Sequence, residues 1–316
     1  MDQTVLKEKK IAVVGIGGVG GYLAGMLGRA FPHLTLAARG KRRESLLEKG
    51  LVLHSDYHGE INVKAEHVVP VGEMETQDYI FVCVKNYSLE EVCKDMKGAV
   101  GEHTVLIPVM NGADPGERLR ALTDKGTVVD SLIYIVAFAN EDYSITQQGG
   151  FASLRIGINQ ASEEEKAIVE DVSAILREAD IDHVAAEDIE YEIWRKYILN
   201  CAYNVESAYY DNAIGQLRAD PVKAKEYEDL VREAWEVALA KGVKVTKEHV
   251  DAIIHRFYFE LADGATSSLQ RDLRDGKKTT EMETFSGYIV REAERYGLDV
   301  PVSKRMYEGL KKKIEG

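Results

Sequence analysis

Two stretches of the chain combine residue types and spacings that could do chemistry. The first is Gly15-Ile16-Gly17-Gly18-Val19-Gly20, which directly follows the apolar run Ile11–Val14 and opens a segment of helical periodicity. In a strand–turn–helix context these glycines have separate uses. Gly15 permits the tight turn, Gly17 keeps a side chain out of the way of a pyrophosphate, and Gly20 lets the helix approach the sheet. The helix N-terminus then offers unpaired N–H groups and partial positive charge to phosphate. Dinucleotide binding is the chemistry this pattern serves. Sites for NAD usually carry Asp or Glu at the end of the second strand, to bind the ribose 2′-hydroxyl. This chain instead reads Ala37-Ala38-Arg39-Gly40-Lys41-Arg42-Arg43, with no carboxylate before Glu44. Such a run of cations matches a 2′-phosphate and predicts NADP (NADPH). Arg39 is the best placed, because guanidinium both pairs with phosphate and stacks on adenine.

The second stretch is Trp194-Arg195-Lys196-Tyr197-Ile198-Leu199-Asn200-Cys201-Ala202-Tyr203-Asn204. On a helix, Lys196, Asn200 and Asn204 lie at i, i+4 and i+8, within about 80° of one another. A lysine and two amides among Trp194, Ile198, Leu199 and Cys201 are costly unless they line a cleft. By spacing alone, a solvated face and a reactive stripe are equally open. Nothing else competes. Cys83, Cys93 and Cys201 form no CxxC and read as reduced, mostly buried thiols. The histidines show no triad or metal spacing, and no GxSxG is present.

The elements that must position these groups can be read from periodicity. Ile11–Val14, Leu34–Ala38, Tyr79–Val84, Thr104–Pro108 and Thr127–Asp130 read as strands. Helices over Gly18–Phe31, Arg42–Lys49 and Leu89–Met96 alternate with them. That alternation predicts a Rossmann-type, doubly wound parallel α/β sheet. Leu132–Ala139, Ser144–Gln148 and Ala152–Ile158 have no helix between them and predict antiparallel strands added at a sheet edge. Ser162–Ala179 reads as a helix opened by a Ser162/Glu165 capping box. Later segments have helical periodicity, over about 188–206, 221–241, 247–260, 279–296 and 303–314. Pro221 sits in a first turn, and Gly242 and Gly297 end helices. The expected organisation is a dinucleotide-binding domain over 1–187 and an all-helical domain over 188–316.

Composition narrows the function classes. With 316 residues, 45% hydrophobic and 29% charged, the chain can bury a core and is not a disordered polymer. A net charge of −13 argues against a general nucleic-acid or anionic-membrane binder. The start, MDQTVLKEKK, has no signal-peptide core, and the apolar runs are too short to span a bilayer. A cytoplasmic protein is expected. The sequence leaves the oligomeric state open, a homodimer being one option.

Taken together, several motifs resemble the ketopantoate reductase (2-dehydropantoate 2-reductase) family. They are the Gly15–Gly20 turn, Val84-Lys85, Asn111-Gly112, Trp194-Arg195-Lys196 with its two asparagines, Thr266-Ser267-Ser268-Leu269-Gln270-Arg271-Asp272 and Thr280-Glu281-Met282-Glu283. The resemblance covers nearly the whole chain. It implies that Lys196 is a catalytic lysine and Glu281 a substrate-binding glutamate. It implies substrate contacts at Asn111, Asn200, Asn204 and Ser268, with Ser267 adjacent. NADPH would meet Gly15, Ile16, Gly17, Gly18, Val19, Gly20, Arg39, Lys85 and Asn111. The implied reaction is hydride transfer to a 2-keto acid. A reductase of another keto acid and a catalytically silent NADPH sensor are the rival readings. The chain departs from the family pattern at Met110 and at Val205-Glu206, and Glu206 is expected to bring a negative charge close to the site.

Overall fold

Residues 3–315 are described in a computed structural model of the chain. They divide into two units, Met1–Ile189 and Glu190–Gly316. In chain order the first unit runs α1 (Gln3–Lys7), β1 (Ile11–Val14), α2 (Gly18–Ala30), β2 (Thr35–Ala37), α3 (Gly40–Lys49), β3 (Leu51–Ser55), β4 (Gly59–Val63), β5 (His67–Val69), β6 (Gln77–Val82), α4 (Leu89–Asp95), β7 (Val100–Pro108), α5 (Pro115–Leu122), β8 (Thr127–Val128), β9 (Asp130–Ala139), β10 (Ile145–Gly157), α6 (Glu163–Glu178) and β11 (Asp182–Ala185).

A six-stranded parallel sheet in the order β5-β2-β1-β6-β7-β8 organises this unit. Its centre is buried on both faces. Ile11 and Val13 of β1 join one apolar cluster, with α2 and α6. Ala12 and Val14 join another, with α4 and α5. Continuous apolar runs such as Ile11–Val14 are the signature of such doubly covered strands. Strand order reverses between β1 and β6, so the carboxyl ends of these two strands mark the switch point where ligands of this architecture bind.

One expectation fails. The segments after Asp130 do not extend the parallel sheet. They belong to a separate five-stranded sheet in which β9 pairs antiparallel with β10, while β10 runs parallel to both β3 and β11. The two predicted segments Ser144–Gln148 and Ala152–Ile158 are one strand, β10, whose pairing shifts between Gln148 and Ser153. The reason is a long-range staple. Gln147 is fully buried, accepts a hydrogen bond from Ser55 Oγ at 2.5 Å, and donates to the carbonyls of Gln148 and Gly149. This ties β10 to β3 and leaves the bulged backbone satisfied. The Ser162/Glu165 capping box opens α6 as expected.

The second unit is all helical: α7 (Ile189–Tyr210), α8 (Ile214–Ala219), α9 (Pro221–Ala240), α10 (Lys247–Phe259), α11 (Ser268–Arg274), α12 (Tyr288–Tyr296) and α13 (Pro301–Glu315). Asp220 caps α9 by accepting from the Val222 and Lys223 amides, with Pro221 in the first turn. α9 packs against α8, α10, α12 and α13. The single helix predicted over 279–296 is instead a turn at Thr280-Glu281, a π-helical stretch over Glu283–Gly287, and then α12. Among the described residues, no helix is long and apolar enough to cross a membrane, and no cluster could hold a metal ion.

Candidate active site

The glycine turn lies between β1 and α2. Gly17 is the N-cap of α2, whose first turn carries neither an acidic side chain nor a side-chain cap. Its amide groups are therefore left to a ligand. The two critical glycines differ in what surrounds them. A Cβ on Gly17 would meet nothing within 4 Å, whereas one on Gly20 would lie 2.0 Å from the Gly15 carbonyl oxygen. Gly20 is thus needed for the turn to close on its own helix, and Gly17 leaves open space above the turn. That space and the uncapped helix start fit a dinucleotide's pyrophosphate. Ile16 is buried, while Gly18 and Val19 are half-buried at the helix start.

The basic run after β2 is not one cluster. Arg39 is exposed and its Nη1 donates to Glu91 Oε1 at 2.9 Å. Arg42 turns inward. Its Nη1 donates to the Tyr143 carbonyl, and its guanidinium lies 5.8 Å from that ring's centroid. Arg43 donates to the Val68 carbonyl at 3.2 Å. Arg42 and Arg43 therefore hold α3 in place, and Arg39 and Lys41 face solvent.

Lys85 follows β6 and is exposed. Asn111 follows β7. The backbone at Asn111 is fixed by a residue that the sequence reading missed. Asn86 is 4% exposed, and its Nδ2 donates to the Asn111 carbonyl at 2.6 Å. Arg118 of α5 in turn donates to Asn86 Oδ1 and to its carbonyl, both at 3.2 Å. The signal was available in principle, as a polar residue four positions beyond the end of a buried strand. Met110, by contrast, is buried in the apolar cluster beneath the sheet and contributes packing.

In the second unit, α7 carries Lys196, Asn200 and Asn204 on one face. Lys196 is partly buried, and Glu281 is 3% exposed. Burial lowers the Lys196 ammonium to about 8, and the Glu281 carboxylate opposes that shift. A lysine held near neutrality is able to give up its proton at physiological pH. Asn204 is buried and works as a bracket. Its Nδ2 donates to the Asn200 carbonyl at 3.2 Å, while its Oδ1 accepts from Ser268 Oγ at 3.1 Å and from the Leu269 amide at 3.4 Å. The neighbouring Ser267 is occupied differently. It caps α11 by accepting from the Gln270 amide, and it accepts from Ser207 Oγ at 2.7 Å. The structure therefore brings Asn204 together with Ser268 and puts Lys196 within electrostatic reach of Glu281.

Glu281 is held by a device the sequence reading did not see. The wide π-helical turn after it frees carbonyl oxygens from the usual ladder. Tyr197 Oη donates to the carbonyls of Thr284 at 2.7 Å and Phe285 at 3.0 Å, and Cys201 Sγ donates to Phe285 at 3.8 Å. Tyr197 is adjacent to Lys196 and 1% exposed. One helix thus presents the amine and anchors the turn that carries the carboxylate.

Glu206 corrects an expectation. It is fully buried, and burial, reinforced by Glu226, raises its carboxyl to about 9. It brings no negative charge to the site at neutral pH.

Comparison with known proteins finds matches over both units. A model of the family "Ketopantoate reductase PanE/ApbA" matches residues 11–160, and the model of that family's C-terminal domain matches residues 188–314. The chain belongs to the ketopantoate reductase family. The chain is similar to an uncharacterized oxidoreductase, YkpB, of Bacillus subtilis (strain 168). It is 28% identical over 303 residues, covering 95% of this chain and 97% of that one. A PanE/ApbA family ketopantoate reductase from Ralstonia eutropha JMP134 matches with a TM-score of 0.87 at 26% identity, over 97% of this chain and 98% of that one. A D-mandelate dehydrogenase, solved with NADH and anilino(oxo)acetate, shares the fold with a TM-score of 0.86 at 21% identity, again over 97% and 98% of the two chains. Membership in this family makes the chain an oxidoreductase of ketopantoate reductase type, with a nicotinamide dinucleotide as its cofactor class.

Proposed function

We propose that the chain catalyses the NADPH-dependent reduction of 2-dehydropantoate (ketopantoate) to pantoate, a step toward pantothenate and coenzyme A. The observation that carries this reading is the Lys196 amine, held by burial at about 8 and set against the buried Glu281 carboxylate. The nicotinamide, when bound, supplies the hydride that reaches the 2-keto carbon. Gly15–Gly20, Arg39, Lys85 and Asn111 bind and orient the cofactor. As the carbonyl gains electron density, Lys196 donates its proton to the carbonyl oxygen, so that the alcohol leaves neutral at that atom. Glu281 accepts a hydrogen bond from the substrate's terminal hydroxyl, a contact that a plain keto acid lacks. The Asn200 amide and the Ser268 hydroxyl, the latter held by Asn204, orient the carboxylate and hydroxyl without adding charge.

A shared fold leaves the choice of keto acid to the site. NADPH oxidation should therefore be followed with ketopantoate and with a panel of 2-keto acids that lack its hydroxyl. Ketopantoate is expected to give the highest kcat/KM. Lys196→Ala should lower kcat by about 10²–10⁴-fold, the usual contribution of a positioned general acid, and leave NADPH affinity unchanged. Near-normal turnover by that variant would remove Lys196 from the mechanism.

A further inference from the structure

Glu91 pairs with Arg39, the residue proposed to meet the 2′ position of the dinucleotide, and has no part in the motifs described above. It lies on α4, the helix that follows β6, and reaches Arg39 at the end of β2 with a separation of 2.9 Å. β2 and β6 flank β1 on either side in the sheet. The ion pair therefore bridges the two strand ends beside the glycine turn. Both side chains are open to solvent, at 81% for Arg39 and 58% for Glu91. An exposed pair of this kind is weak and readily exchanged for another partner.

We infer that Glu91 is a cofactor-discriminating residue that narrows the preference for NADP over NAD. The inference rests on the proposed role of Arg39 at the 2′ position. A 2′-phosphate takes the Arg39 guanidinium and must displace the Glu91 carboxylate, since two anions compete for one cation. A 2′-hydroxyl has no such conflict. It can donate to the Glu91 carboxylate while Arg39 remains paired. In NAD sites the acid that accepts this hydrogen bond usually comes from the end of the second strand; here the neighbouring crossover helix supplies it. Arg42 and Arg43 stay out of this competition, bonded to the Tyr143 and Val68 carbonyls, and the exposed Lys41 is present alike in the unmodified chain and in both variants.

The test is a titration of the purified protein with NADPH and with NADH, read by nucleotide fluorescence, for the unmodified chain, Glu91→Gln and Arg39→Ala. Loss of a competing exposed charge is expected to raise the ratio of NADPH to NADH affinity about two- to fivefold in Glu91→Gln. NADPH should tighten, and NADH should weaken or stay constant. Arg39→Ala should abolish the preference for NADPH. If Arg39→Ala behaves so and Glu91→Gln leaves the ratio unchanged or lowers it, the inference about Glu91 is wrong and the role of Arg39 stands. If Arg39→Ala also leaves the ratio unchanged, the reading of the 2′ site fails, and the inference with it.

Discussion

Replacing Glu206 with leucine should stabilise the helical unit, by an amount that grows with pH. Glu206 sits on α7 with no exposed surface, and among the described residues neither of its carboxyl oxygens has a hydrogen-bond partner. The cations nearest to it are engaged elsewhere. Arg305 pairs with Glu226 at 2.7 Å, and Lys223 is held by Asn212 at 2.9 Å and Asp220 at 3.6 Å. Tyr210 and Tyr258 donate to Glu226 and Glu228. The folded state therefore keeps Glu206 protonated up to about 9, whereas its ordinary value is 4.5. Between those values the unfolded chain has released a proton that the folded chain retains. The contribution to stability is intact below 4.5 and is lost as pH rises toward 9. Each pH unit in that window costs about 1.4 kcal/mol. By pH 7 the loss reaches about 3 kcal/mol. Leucine has a similar volume, needs no partner and does not titrate. Urea denaturation of the unmodified chain and Glu206→Leu, from pH 5 to 9, measures the difference. The chain has two tryptophans, Trp194 and Trp235, both in the helical unit, so their fluorescence reports on that unit alone. The gap should open steadily with pH. A constant offset, with the two stability curves running parallel, would refute the argument that Glu206 is buried and unpaired.

The remaining predictions concern the site itself. The rate of keto-acid reduction should fall above about pH 8, as Lys196 loses its proton; a profile flat to pH 10 would show that another group supplies it. Gly17→Ala and Gly20→Ala should separate binding from folding. The first meets open space and should fold normally while binding NADPH more weakly. The second meets the Gly15 carbonyl and should lower the melting temperature as well as binding. Equal losses of stability in both would contradict the geometry. Tyr197→Phe takes the hydroxyl donor from the buried Thr284 carbonyl and leaves the Phe285 carbonyl only the longer Cys201 Sγ contact, a cost of about 1–3 kcal/mol, and it loosens the turn behind Glu281. The KM for ketopantoate should rise, with NADPH affinity unchanged, whereas a purely global loss of stability would leave the KM as it was.

The parts of this protein that the sequence determines by itself are those in which neighbours along the chain decide the physics. The strand Ile11–Val14, the glycine turn and the start of α2 are set by a few consecutive torsion angles and by apolar patterning, and they appear where the pattern places them. The stripe of Lys196, Asn200 and Asn204 follows from helical periodicity alone. The pairing of Lys196 with Glu281 was different. It came from likeness to a family, because nothing local links residues 85 positions apart. Other features were decided by tertiary structure. The second sheet depends on buried Gln147 meeting Ser55, a contact between segments far apart in sequence. The basic run at Arg39–Arg43 divides into an arginine paired with Glu91 and two that brace α3, because the partners come from α4, β5 and the β9–β10 turn. Glu206 reads as a charge in the sequence and is neutral in the fold. Periodicity records which face a residue occupies, but protonation and pairing depend on what distant segments bring to that face and on how much water they exclude from it.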